Sequence, residues 1–177
     1  GGPINTSCIS TIGVDIDIQH IDDFVCNNGQ TTLSVTATGG SGTYTFQWQE
    51  SSSFTGPFTD VASGGNSNTY VTDALTADSY YQVVISDVVS SCGSVISDVT
   101  TVSIYPEIIT STILTHPGCG GSGNVNLTVS GGTVGYEYQI DGGLWVAFTS
   151  PVDIALSAGT YSLVVRDINL CLTSPES

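Results

Sequence analysis

What most constrains this chain is that it repeats itself. Leu33-Ser-Val-Thr36, the pair Gly39-Gly40 and Tyr44-Thr-Phe-Gln-Trp48 reappear, in the same order, as Leu127-Thr-Val-Ser130, Gly131-Gly132 and Tyr136-Glu-Tyr-Gln-Ile140. Later, Leu75 and Tyr81-Gln-Val-Val-Ile-Ser-Asp87 match Leu156 and Tyr161-Ser-Leu-Val-Val-Arg-Asp167. Each copy starts with a cysteine, Cys26 or Cys119, and is followed by another, Cys92 or Cys171. Such self-similarity means one folding unit built twice, so any fold assigned to one copy must suit the other. A third, partial copy precedes them: Ser7-Cys8 through Val14-Asp-Ile16-Asp-Ile18 mirrors Ser91-Cys92 through Val99–Ile104. Residues 1–18 therefore read as the last strand of a preceding repeat, with Cys8 paired upstream, which accounts for the odd number of cysteines. The opening Gly-Gly-Pro, with no signal peptide before it, reads as the start of an internal fragment of a longer secreted or surface protein.

The repeated segments alternate. Tyr44, Phe46 and Trp48 fall on one side of an extended chain and Thr45 and Gln47 on the other, and Tyr81/Val83/Ile85 and Tyr161/Leu163/Val165 behave alike. Period-two alternation marks half-buried strands of antiparallel sheets packed face to face. Strands are expected near 30–38, 43–49, 57–61, 68–75, 79–87 and 94–105, then near 108–115, 123–130, 135–141, 144–148, 151–157, 160–167 and from 171 onward. Asp141-Gly142 predicts a type I′ hairpin turn, and Pro106 a domain junction. No dozen residues keep a helical apolar spacing. The fold class expected is all-β.

Composition excludes several functions. Sixteen acidic side chains face a single Lys or Arg, Arg166, giving a net charge of −15. Nucleic-acid binding needs basic side chains on phosphates, and docking on anionic lipid needs a basic cluster. No apolar run approaches the roughly 18 residues of a membrane span. Without lysine there is no Schiff-base chemistry and no P-loop. Serine and threonine, 47 residues together, supply the polarity instead. Widely spaced cysteines without a C-x-x-C pair indicate disulfides made in an oxidising compartment.

These segments resemble known repeats. Cys26-Asn-Asn-Gly, Tyr44-Thr-Phe-Gln-Trp48-Gln, Phe58-Thr-Asp, Tyr80-Tyr81-Gln-Val and Cys92 resemble an immunoglobulin-like domain of large surface proteins from gliding bacteroidete bacteria. Cys119-Gly-Gly-Ser-Gly, Val129-Ser-Gly-Gly-Thr133, Leu156-Ser-Ala-Gly-Thr-Tyr161 and Arg166-Asp-Ile-Asn-Leu-Cys171 resemble the SprB repeat of gliding-motility adhesins. The resemblance implies tandem immunoglobulin-like antiparallel β-sandwiches, 19–106 and 107–177, the second open to truncation at its last strand. It also implies a non-enzymatic stalk or filament segment of an extracellular, cell-surface adhesin, exported by type IX secretion, whose partners are neighbouring repeats. A polysaccharide- or surface-binding module is the alternative. Repeat logic pairs Cys26 with Cys92 and Cys119 with Cys171. An immunoglobulin strand order can set those positions at opposite ends of the sandwich, which leaves Cys26–Cys171 open as the alternative.

Few residues suggest chemistry. His20 and His116 each precede a repeat-opening cysteine and lack a second ligand at metal spacing; both read as junction residues. There is no Gly-x-Ser-x-Gly elbow. Calcium is the cofactor best suited to the hard oxygen ligands of Asp15, Asp17, Asp22 and Asp23, with Asp22 and Asp23 the best candidates; Glu107 and Asp167-x-Asn169 are further positions with hard oxygens. Trp145, just past a hairpin turn, is the aromatic candidate for a sugar. Glu137 and Arg166 point outward on strands expected to be neighbours and are expected to form an ion pair.

Overall fold

A computed structural model describes residues 12–15, 24–89, 93–116 and 122–173, and the chain divides into two compact units, Gly1–Ile104 and Tyr105–Ser177. Among the described residues there is no helix, and none is therefore long and apolar enough to cross a membrane. The chain is all-β, two antiparallel β-sandwich units of immunoglobulin-like strand order.

In the first unit, β1 (Gly13–Asp15) pairs with β4 (Thr36–Thr38), and β3 (Thr32–Ser34) with β7 (Thr69–Val71). Between β3 and β4, Val35 keeps the ladder going through its N–H to Asn68 C=O (2.9 Å). The opposing sheet runs β6 (Thr59–Asp60), β5 (Tyr44–Ser51), β8 (Ser79–Asp87), then β9 (Ser94–Ile96) and β10 (Thr100–Ile104), with β2 (Phe24–Val25) parallel to β10. The single strand expected over 94–105 is two strands. Between the pairs Val84↔Ile96 and Tyr81↔Thr100, three residues of one strand oppose two of the other, which is the count of a β-bulge. Ser97 closes it: its Oγ accepts the Val83 N–H (2.9 Å) while its own N–H reaches Val83 C=O (3.0 Å).

Alternation puts Tyr81, Val83 and Ile85 at zero exposure beside Trp48, Leu33 and Val102. The Trp48 and Tyr70 rings stack at 6.0 Å, and Tyr70 lies 5.9 Å from Tyr81, tying the two sheets together. The indole N–H is satisfied by Ser67 C=O (2.8 Å), as a buried Trp requires. Burial raises the Tyr70 and Tyr81 phenols above the usual 10.0; the charges of Asp73 and Glu50 add to it at Tyr70, and Tyr70 and Glu50 at Tyr81. A phenol whose folded pKa is raised contributes stability that is complete below its unfolded pKa and lost as pH rises past it. An ultraviolet alkaline titration should therefore show these two of the eight tyrosines ionising only as the unit opens. All eight titrating together near pH 10 with circular dichroism unchanged would contradict this.

The second unit repeats the plan. β11 (Ile108–Thr115), β12 (Gly123–Gly131) and β15 (Val152–Leu156) form one sheet; β14 (Val146–Ala147), β13 (Glu137–Ile140) and β16 (Leu163–Arg166) form the other. Among the described residues, the segment after β16 pairs with it through a bridge between Arg166 and Leu172 and the Thr173 N–H to Val165 C=O (2.9 Å). Asp141 and Gly142 take φ of 49° and 70°, and the Gly143 N–H bonds Ile140 C=O (2.9 Å); positive φ at both central residues is what a type I′ turn requires. Leu127, Val129, Ile154 and Val165 form the core.

Cys26 and Cys171 are each disulfide-bonded. Cys8, Cys92 and Cys119 lie outside the described residues, and with them the within-domain pairing. Alkylation of the unreduced chain should leave Cys26 and Cys171 unlabelled, and reduction should cost about 2–5 kcal/mol. Labelling of either cysteine without reductant would contradict the bonded state.

Candidate functional site

The repeated Gly-Gly pair and the repeated aspartate, more than 30 residues apart, meet in both units. In the first, Asp87 Oδ2 accepts the Ser41 N–H (2.5 Å), and Oδ1 accepts the Ser41 hydroxyl (2.5 Å) and the Val89 N–H (3.0 Å). In the second, Asp167 Oδ2 accepts the Thr133 N–H (2.8 Å), and Oδ1 accepts the N–H groups of Asn169 (2.9 Å) and Cys171 (3.1 Å). Asn169 Nδ2 also donates to Thr133 Oγ1 (2.7 Å). The Tyr44 hydroxyl donates to Gly39 C=O, and Tyr136 donates to Gly131 C=O (2.6 Å). Each unit is thus latched: the aspartate at the end of one strand holds the turn that links the other sheet to its own. Main-chain donors replace water around a buried carboxylate, which allows it to stay buried.

The turn needs glycine. Gly40 and Gly132 have φ of 54° and 59°, a region costing other residues about 1–2 kcal/mol. A Cβ on Gly132 would stand 2.7 Å from Ile108 Cγ1 and 3.3 Å from Asp167 Oδ2. Gly132→Ala should therefore destabilise the second unit by about 2 kcal/mol or more in urea titration. An unchanged midpoint would show that the turn does not need its backbone shape. Sequence reading matched both sets of residues but did not bring them together. The overlooked signal is that one charged residue recurs after an alternating apolar strand in step with a glycine pair.

The latch bears on calcium. Asp167 turns both carboxylate oxygens to N–H donors. Asp17, Asp22, Asp23 and His20 lie outside the described residues. Glu107 and His116 are exposed. Among the described residues no group of three or more His, Cys, Asp or Glu could hold a metal.

Arg166 Nη2 lies 2.5 Å and Nε 2.6 Å from Glu137 Oε2, on strands where the two residues are direct partners. The same guanidinium sits 4.1 Å over the Trp145 ring, occupying one face of the indole. Neighbouring Leu144 is 88% exposed.

The second unit also has an opening between its sheets. Two adjoining cavities of about 260 and 440 Å³ are walled by Leu114, Val125, Ile154 and Leu156 on one sheet, by Ile140 and Leu163 on the other, and by Tyr161 just before β16. Ile140 stands where the first copy has Trp48, so a smaller side chain leaves part of this space. His116 stands at its rim.

The strand order and the latch define a protein of two immunoglobulin-like sandwiches built to one plan. The chain belongs to the family described as Domain of unknown function (DUF8696), whose model matches residues 18–106, just over half of its length. Among solved structures it is similar to the Clostridium thermocellum CbhA fibronectin(III)-like modules (15% identity, 93% of this chain and 90% of that one, TM-score 0.39). It is also similar to the human OSCAR ligand-binding domain (16% identity, 95% of each chain, TM-score 0.32). No curated protein matches it.

Proposed function

We propose that this chain is a non-enzymatic stalk or filament segment of an extracellular bacterial adhesin, displayed at the cell surface and linked to gliding motility and type IX secretion. The observation that carries the reading is one latched sandwich built twice, each copy clamping its sheets by an aspartate on a Gly-Gly turn. A spacer needs repeated, self-sufficient units, and the latch spends the aspartates on the scaffold. The disulfide-bonded Cys26 and Cys171 fit an oxidising exterior. The charge of −15 favours solubility over self-association. Neighbouring repeats are the partners of this role. Affinity electrophoresis through gels containing a panel of polysaccharides, with calcium and with EDTA, tests it. Unretarded migration in every gel is expected. Retardation by one polymer would overturn the spacer reading in favour of a carbohydrate-binding module, and Trp145→Ala would then show whether its indole is the platform.

A further inference from the structure

We infer that Asn28 is a modification site: its side-chain amide is lost by attack of the Gly29 nitrogen, at a rate set by opening of the Cys26–Gly29 turn. The inference stands on this turn alone and does not depend on the spacer reading.

Cys26-Asn-Asn-Gly29 is the one place in the chain where asparagine precedes glycine. The fold fixes both residues. The Gly29 N–H reaches back to the Cys26 C=O (2.7 Å), and Asn28, third in this turn, takes φ of 62°, which asparagine and glycine tolerate best. A Cβ on residue 29 would stand 2.7 Å from the Cys26 carbonyl oxygen, so the turn keeps glycine there. Without a Cβ, the Gly29 nitrogen is unhindered. The Asn28 side chain is exposed. Asn66, Asn126 and Asn169 differ on both counts. Each donates its amide N–H in a hydrogen bond, to Gln47, Asp153 and Thr133 respectively, and each precedes a residue that carries a Cβ.

The chemistry needs only water and hydroxide. Hydroxide removes the Gly29 N–H proton, and the nitrogen bonds to Asn28 Cγ. The Cγ–Nδ2 bond breaks, and ammonia leaves with a proton from water, which restores the hydroxide. Water then opens the cyclic imide at either carbonyl, giving aspartate or isoaspartate. The first step needs a free N–H. In the closed turn that hydrogen is held by the Cys26 oxygen, and the main chain beside it is pinned: the Asn28 N–H bonds Leu75 C=O (2.7 Å), and the Leu75 N–H bonds Gly29 C=O (2.9 Å). Exchange of the Gly29 amide hydrogen starts with the same deprotonation, so both reactions wait for the same opening. Isoaspartate lengthens the main chain by one carbon inside the turn, which displaces the pairing of Gly29 with Leu75.

The test ages the full chain in warm, mildly alkaline buffer, folded and in urea. Asn28 is read by mass spectrometry of chymotryptic peptides, and Gly29 exchange by NMR. In urea Asn28 is expected to be the first asparagine lost. In the folded chain its loss should be about tenfold or more slower, and Gly29 exchange should be slowed by a similar factor. Equal rates in the two states would overturn the inference, as would survival of Asn28 in urea while other asparagines are lost. So would survival of Asn28 in the folded chain for a time over which the measured Gly29 protection predicts its loss.

Discussion

Asp167→Ala is expected to remove about 3–5 kcal/mol from the second unit, summing the penalties for buried donors left without an acceptor. Asp167 is 1% exposed. It accepts three main-chain N–H groups, from Thr133, Asn169 and Cys171. Removing the carboxylate leaves all three unpaired in a space that water enters poorly. Asp167→Asn should recover only part of the loss, since the amide offers one acceptor and adds two donors where donors already converge. Asp153, bonded to Asn126 on an exposed face, is the control, and Asp153→Ala should change stability by less than about 0.5 kcal/mol. Urea titrations of the three variants read this directly. Equal, small effects at Asp167 and Asp153 would show that the latch is incidental.

The second large effect belongs to Trp48→Ala, expected to cost the first unit about 3–5 kcal/mol. Trp48 is fully buried, stacks on Tyr70 and donates its indole N–H to Ser67 C=O. Its loss opens a void between two sheets whose contact passes through it, and leaves the Ser67 carbonyl unpaired. Ile140→Ala, at the matching position of the second unit, should cost clearly less, because Ile140 already borders open space. Equal costs for the two substitutions, measured by denaturant midpoint, would mean that the cleft is closed in solution.

The sequence carried the strand plan because alternation and turn chemistry are local. Asp141-Gly142 predicts its own turn, and the repeat extends one copy's strand order to the other. Breaks inside strands were not visible: the bulge at Ser97 depends on a side chain taking a main-chain place opposite Val83. The latch was not visible for the same reason. Gly132 and Asp167 recur with their counterparts, but only the folded chain shows that they touch. The cleft is bordered by Ile140, which stands where the other copy has Trp48. Pattern matching aligns the similarities and passes over such differences.

The central claim is that one latched sandwich, built twice, serves as a mechanical unit. Single-molecule force spectroscopy of the full chain with its thiols reduced tests it most directly. Two separate unfolding events are predicted, with the second unit's event lost or moved to much lower force in Asp167→Ala and the first unit's event unchanged. A single event, or two events indifferent to Asp167→Ala, would contradict the account.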